Sequence, residues 1–465
     1  MVVEEPQRIL QVSTFDVQGG AEKVAWSLFD AYRKRGHRSW LAVGEKRSDD
    51  PDVLLIPNRV QRGRWFTFWR YISSRINRSI RSRPAAELLS LLANGVAEPA
   101  RGFDIYRGLE DFRFPGTSRL LALPSQKPDI VHCHNLHGGY FDLRLLPWLS
   151  RQVPLILSLH DAWLLSGHCA HSFACERWKT GCGHCPDLTI YPAIRQDATG
   201  ENWRRKREIY ARSRLYVSTP SRWLMNKVEG SMLAPAVVDA RVLPNGVDLS
   251  IYHPAEQQAA RAALGIPSEA KVLLTTGVMI HRNIWKDFST LRQAVKMASE
   301  QLPGQDLLLI VLGEDAPAER VDRVEICYVP YQKDPWKVAR YYQAADIYVH
   351  AARADTFPTS VLEAMACGTP VVATAVGGIL EQVEEPQTGF LVSVGDAQEM
   401  AFRITQLLTD EVLKARMGFQ AAERAKHQFN FDQQVDAYLN WYGDLIESRT
   451  KESSTEKTYA LSGPA

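Results

Sequence analysis

The chain has 465 residues, 45% of them apolar, which is ample for two domains that each bury a core of their own. A net charge of +2, from 55 basic and 53 acidic residues, argues against a general nucleic-acid binder; no stretch is apolar for long enough to span a bilayer, and residues 1–8 are too polar for a secretory leader. Seven cysteines, an odd number, do not suit a secreted disulfide framework, so a cytoplasmic protein is expected.

RILQVS (8–13) predicts a first strand, and FDVQGGAEKVAWSLFDAYRKRGH follows it. Val24, Leu28, Phe29 and Tyr32 fall on one helical face, so Gly19 and Gly20 sit at a strand-to-helix turn, where a backbone can approach a phosphate closely. Residues 59–83 hold eight arginines and no acid, interleaved with Trp65, Phe66, Phe68, Trp69 and Tyr71. As a helix, this stretch gathers its aromatics and isoleucines on one face and most arginines off it. That suits the surface of an anionic bilayer and equally a helix docked on its own domain, with nucleic acid a distant third. PDIVHCH (128–134) and PLILSLH (154–160) each read as a buried strand ending in histidine, with a helix expected over 140–149 between them. A histidine at a strand end points toward the ligand side of a sheet, which holds for His134 and His160; Asp161 would either orient His160 or cap the next turn.

SGHCAHSFACERWKTGCGHCP comes next and carries Cys169, Cys175, Cys182 and Cys185. The last two form a C-x-x-C, a gap that lets both sulfurs reach one tetrahedral ion. Structural zinc on all four, reduced thiols, and two local disulfides stay open, and any metal here would stiffen a loop rather than activate water. A helix over 201–214, a strand over 215–219 and a helix in PSRWLMNKV lead to VLPNGVDLSIYHP, with a turn at Asn245 and Gly246.

KVLLTTG (271–277), LLLIVLG (307–313) and 324–329 read as strands of a second set, and 335–344 as a helix. ADIYVHAA (345–352) has the apolar run of a buried strand; 361–366 favours helix, Gly368 and Pro370 make a turn, and 371–373 form the next strand. In an open parallel sheet ligands bind beyond the carboxyl ends of the strands, so the loop 353–360 should face one. Its amides, opening the helix with Thr359 or Ser360 as cap, form a seat for phosphate. Asp355 and Glu363 flank that seat. By spacing alone they are ordinary loop and helix acids; as acceptors of sugar hydroxyls they would not repel the phosphate. Helices over 397–408, 412–426 and 431–447 follow, and 448–465 is polar enough to be disordered.

The string FPTSVLEAMACGTPVVAT, followed by GGILEQV, resembles the donor-site signature of family 4 glycosyltransferases, whose GT-B fold has two Rossmann-like domains with parallel sheets facing a central cleft. That family usually has a Glu, seven residues and a second Glu; here the first is Asp355. The resemblance implies that Glu363 binds ribose hydroxyls and Asp355 the sugar, that Phe357, Pro358, Thr359 and Ser360 line the donor seat, and that Glu381 lies near base or ribose. The family's basic pair after the first strand of the second domain would be Arg282 and Lys286, neutralising the leaving diphosphate. HDAW at 160–163 is similar to the position where a His contacts the transferred sugar, and Gly19–Gly20 to the glycine loop facing donor and acceptor. The cysteine-rich insertion resembles that of the colanic-acid type of exopolysaccharide transferases.

The expectation is an α/β protein with an acceptor-side domain over 1–243, holding the insertion 166–187, a nucleotide-sugar domain over 244–430, and a helix over 431–447 crossing back to the first. The implied reaction moves a sugar from a nucleotide-diphosphate donor to a hydroxyl of a glycan or lipid-linked acceptor in cell-surface polysaccharide synthesis, with retention at the anomeric carbon. No cofactor is required for catalysis, because in the retaining pathway the leaving phosphate itself helps deprotonate the acceptor. Residues 59–83 would attach the protein to the inner face of the membrane. Two rivals remain: a nucleotide-sugar epimerase of similar shape, which needs no acceptor, and a catalytically weak assembly subunit.

Overall fold

A computed structural model describes residues 5–17, 19–58, 68, 69, 71 and 98–461. The chain divides into two units, one of Met1–Thr219, Leu224–Val242 and Tyr438–Ala465, the other of Pro220–Trp223 and Leu243–Ala437.

The first unit is built on a seven-stranded parallel sheet: β1 (Arg8–Phe15), β2 (Arg38–Glu45), β3 (Val53–Leu55), β4 (Ile130–Cys133), β5 (Leu155–Ser158), β6 (Leu215–Thr219) and β7 (Val237–Val242). Its order is β3-β2-β1-β4-β5-β6-β7, so the winding reverses between β1 and β4. Helix α1 (Gly20–Lys34) buries Ala25 and Phe29 against Leu41, Val43 and Val53. Helix α2 (Thr199–Tyr210) follows the cysteine-rich loop. Over 140–149 the expected helix is replaced by a 3-10 turn, Leu143–Leu145, and a helix over Leu146–Gln152. Asp142 caps that turn through the Arg144 amide, and Pro147, which has no N–H to give, suits only the first turn of the helix proper.

The second unit repeats the plan with β8 (Lys271–Thr276), β9 (Leu307–Leu312), β10 (Glu319–Val321), β11 (Val324–Val329), β12 (Ile347–His350), β13 (Val371–Thr374) and β14 (Gly389–Val392). The order is β10-β11-β9-β8-β12-β13-β14, parallel throughout except β10 against β11. Alternate residues of these strands enter opposite cores: Leu273, Leu309 and Val349 on one face, Val272, Leu274 and Tyr348 on the other. Burial on both faces is why these strands read as unbroken apolar runs. Helices α3 (Phe288–Gln301), α4 (Pro335–Ala344) and α5 (Thr359–Ala366) position the site.

Helix α6 (Phe431–Leu461) begins in the second unit, and from Tyr438 it belongs to the first. There Tyr442 Oη lies 2.6 Å from His132 Nδ1 and 3.1 Å from Tyr32 Oη, and Trp441 Nε1 donates to Asp239 at 2.9 Å. The tail expected to be disordered over 448–465 is instead helical to Leu461. Arg449 donates to the Arg151 carbonyl, and Lys451 pairs with Glu447 one turn back. Of the arginine-rich stretch 59–83, only Phe68, Trp69 and Tyr71 are among the described residues, so the amphipathic helix expected there lies outside them. No helix among the described residues is long and apolar enough to cross a membrane.

Candidate active site

In the second unit the site grows from the carboxyl ends of β8 and β12, neighbours at the point where the winding reverses. The segment after β8 turns back along the one after β12. Lys286 bridges to Ala352, and the Arg353 amide donates to the Trp285 carbonyl at 2.8 Å. This local pairing delivers Lys286 to Asp355. Its Nζ lies 2.9 Å from Asp355 Oδ2 and 3.1 Å from His350 Nε2, while His350 Nε2 is 3.2 Å from the same carboxylate oxygen. Behind His350, Tyr348 Oη lies 3.1 Å from Nδ1 and 2.9 Å from Thr276 Oγ1. Burial disfavours a charge on Asp355, yet the Lys286 ammonium and the His350 hydrogen bond outweigh it and hold the carboxyl well below its usual range. His350 is pushed down, first by burial and then by the Lys286 charge, and so stays neutral.

Arg282 and Lys286 line one cavity of about 460 Å³ with His281, Arg292 and Arg353. Arg292 pairs with Glu319 and Arg353 with Asp287, which leaves Arg282 without a carboxylate partner among the described residues. The cavity therefore carries surplus positive charge beside Lys286.

The loop before α5 is seated on Gly377 and Gly378. Gly377 has φ 53°, and a Cβ there would stand 1.9 Å from the Asp355 carbonyl oxygen, so only glycine fits. Phe357 packs on Phe429, and Pro358 offers its carbonyl to Gln382 Nε2 at 2.9 Å. The expected cap differs: Pro358 holds the N-cap position, no side chain caps the helix, and Thr359 and Ser360 are its first residues. Ser360 instead meets the Tyr348 hydroxyl. Glu363 is 6% exposed and accepts the Tyr342 hydroxyl from α4 at 2.9 Å. Glu381, expected near base or ribose, accepts the Arg222 and Trp223 amides at 2.8 and 2.7 Å. Both its oxygens serve as a backbone cap, a role set by residues far away in sequence.

In the first unit Gly19, at φ 98°, is the N-cap of α1 and Gly20 its first residue, as the strand-to-helix turn requires. His160 follows β5. Asp161 does not orient it: the carboxylate binds His137 Nε2 at 2.7 Å and caps the Trp163 amide at 2.9 Å. His160 Nε2 instead meets His134 Nδ1 at 3.0 Å. Burial lowers the His160 pKa to about 4, with the Asp161 charge opposing. Beneath the loop 163–166, Lys206 is fully buried; its Nζ is 2.9 Å from Glu110 Oε1, 2.9 Å from the Trp163 carbonyl and 3.1 Å from that of Ser166.

Cys169, Cys175, Cys182 and Cys185 carry free thiols, which removes the two-disulfide alternative. Among the described residues no three His, Cys, Asp or Glu side chains stand together so as to hold a metal ion. The sulfurs join the hydrogen bonding of the loop: the Gly167 amide donates to Cys182 Sγ at 3.3 Å, and Cys185 Sγ lies 3.3 Å from His168 Nε2.

Sequence reasoning passed over His350, His134, His137 and Gln11. The strand-end rule covers His134 at the end of PDIVHCH and His350 at the end of ADIYVHAA as well as His160, which the likeness of HDAW singled out.

Residues 18–251 match the family described as Glycosyltransferase Family 4, and residues 256–424 match Glycosyl transferases group 1. A protein of Escherichia coli assigned to colanic acid biosynthesis as the glycosyl transferase WcaC is 26% identical over 332 residues, 68% of this chain and 77% of its own length. D-inositol 3-phosphate glycosyltransferase of Mycolicibacterium paratuberculosis is 29% identical over 382 residues, 78% of each chain. Among solved structures, Anabaena Alr3699/HepE in complex with UDP superposes with TM-score 0.60 at 17% identity, over 94% of this chain and all of that one. Sucrose-phosphate synthase of Thermosynechococcus elongatus gives 0.58 at 19%, over 95% of this chain and all of that one. These likenesses bear out the expected GT-B fold class with its two parallel-dominant sheets.

Proposed function

As a member of glycosyltransferase family 4 the chain is a glycosyltransferase, and we propose that it moves a sugar from a uridine diphosphate donor to a hydroxyl of a growing glycan, with retention. The observation that carries this reading is the placement of Lys286. It stands between the Asp355 carboxylate and an arginine-lined cavity, so one ammonium faces both a candidate sugar contact and a candidate diphosphate seat. In this reading Arg282 and Lys286 take up charge as the diphosphate leaves, Asp355 accepts sugar hydroxyls, and Glu363 exchanges its Tyr342 bond for the ribose. The uncapped first turn of α5, with Thr359 and Ser360, offers amides to a phosphate oxygen. His160 contacts the sugar, and Gly19 and Gly20 the phosphate. HepE has been solved with UDP and with UDP-glucose, which supports uridine.

A thermal-shift titration tests the site. At a concentration 100 times its Kd, UDP is expected to stabilise the wild type by about 2.7 kcal/mol, and Glu363→Ala is expected to lose most of that gain. Equal stabilisation of wild type and variant would remove Glu363 from the site. Retention is checked from the anomeric coupling of the product: inversion would rule out the pathway in which the leaving phosphate assists the acceptor.

For the acceptor we propose a glycan or a lipid-linked saccharide of a cell-surface polysaccharide; the relative named for colanic acid biosynthesis supports a polysaccharide-building reaction. The eight arginines and no acid of 59–83 support attachment to anionic lipid on the inner face of the membrane. Co-sedimentation with phosphatidylglycerol-containing vesicles is expected for the wild type and lost when four of those arginines become glutamate. Equal pelleting of both would dismiss membrane attachment through this segment.

A further inference from the structure

His160 stands on a row of buried side chains that the transfer chemistry itself does not use. His160 Nε2 lies 3.0 Å from His134 Nδ1, and His134 Nε2 lies 2.8 Å from Gln11 Oε1. Gln11 and His134 are 0% and 1% exposed, so water does not compete for these bonds. The two imidazole centroids are 5.3 Å apart with planes 20° from parallel. With the facing nitrogens already 3.0 Å apart, that is the spacing of rings set end to end rather than stacked, so the shared hydrogen lies along the lone pair, close to both ring planes.

Both rings are neutral: burial pushes His134 well below its ordinary value, reinforced by His132 and His160, and burial takes His160 to about 4. A neutral imidazole has one N–H and one lone pair. An amide oxygen only accepts, so Gln11 draws the His134 proton to Nε2. His134 Nδ1 then accepts, and His160 donates from Nε2.

We infer that Gln11 and His134 fix the tautomer of His160, so that His160 presents Nδ1 as a bare lone pair to a hydroxyl of the transferred sugar. This rests on the reading of His160 as a sugar contact. It also bears on the donor class, with the C6 hydroxyl taken as the one His160 meets: a lone pair accepts from that hydroxyl and repels the carboxylate that replaces it in a hexuronate, so the donor is a neutral hexose. Gln11 and His134 are positioning residues; neither touches substrate.

Long-range 1H–15N spectra of histidine-labelled protein at neutral pH test the tautomer, with His160 assigned from the signals missing in His160→Gln. The wild type should show His160 protonated on Nε2 and bare on Nδ1, and should bind UDP-glucose at least about 10-fold more tightly than UDP-glucuronate. Gln11→Met keeps the volume and removes the acceptor; it should mix the His160 tautomers and narrow that ratio, which a merely structural role would not do. A His160 proton on Nδ1 in the wild type overturns the inference. So does an unchanged ratio in a Gln11→Met protein whose tautomer has shifted. If Gln11→Met does not fold, the wild-type spectrum and ratio decide. A His160→Gln variant that retains the full preference for UDP-glucose would sink the sugar-contact reading and the donor class with it, while leaving the tautomer measured.

Discussion

Lys286→Ala is expected to lower kcat about 100- to 1,000-fold, the range seen when one preorganised charge or donor is taken from a developing oxyanion. The geometry says why the loss should be this large. The ammonium is held by Asp355 Oδ2 at 2.9 Å, with His350 Nε2 3.1 Å away on the same carboxylate, so it needs no reorganisation as charge grows on the leaving phosphate. Its backbone is fixed too, since Lys286 bridges to Ala352 and the loop is tied at Arg353. The KM for donor should change less than kcat, because in the proposed site a ground-state diphosphate would still meet Arg282 and Arg353 in the same cavity. His350 adds a second readout. The Lys286 charge is one cause of its lowered pKa, so in the variant its imidazole should titrate at higher pH. Retention of more than about a tenth of wild-type kcat would remove Lys286 from the reaction.

Lys206→Met is expected to destabilise the first unit by about 3–5 kcal/mol in urea unfolding, the cost of stranding one partner of a buried ion pair. Lys206 has no exposed surface, and all its acceptors are protein atoms: Glu110 and the carbonyls of Trp163 and Ser166. Its ammonium also lies 3.8 Å from the Trp163 ring. Burial pulls Lys206 down and Glu110 up, and each charge opposes the shift of the other. The methionine fills the volume but leaves Glu110 alone and two carbonyls without donors. Adding Glu110→Gln should recover part of the loss, because the stranded charge is gone. A single variant within about 1 kcal/mol of wild type would show that the pair contributes little. Since the freed carbonyls belong to the loop that follows His160, transfer activity should fall with stability.

The most apolar strands were legible because burial on both faces favours an unbroken apolar run: LLLIVL reads as a strand, and β9 covers Leu307–Leu312. The strand, loop and helix around Asp355 were legible for the same local reason, as was the turn at Gly19, where φ 98° admits glycine. Lys286 was placed by the family's basic pair, matched before an apolar helix face, and the short pairing of loops that brings it to Asp355 lies only one strand away in the sheet. Glu381 shows the limit. Its spacing suits a nucleotide contact, yet two amides 158 and 159 residues away take up its carboxylate. For the cysteines, C-x-x-C spacing permits a knuckle, and the path of the whole loop decides whether four sulfurs meet.

By itself the sequence determined the most apolar strands, the helices that follow them, the loops that open those helices, and the family the chain resembles, because all of these depend on neighbours within a turn or two along the chain; it missed the helical tail to Leu461. The tertiary structure alone decided that Asp161 serves His137, that His134 and Gln11 stand behind His160, that His350 joins Lys286 and Asp355, and that Glu381 is a cap. Hydrogen bonding in a buried site is a matter of a few tenths of an ångström between strands and loops distant in sequence, and no periodicity of the chain encodes that distance.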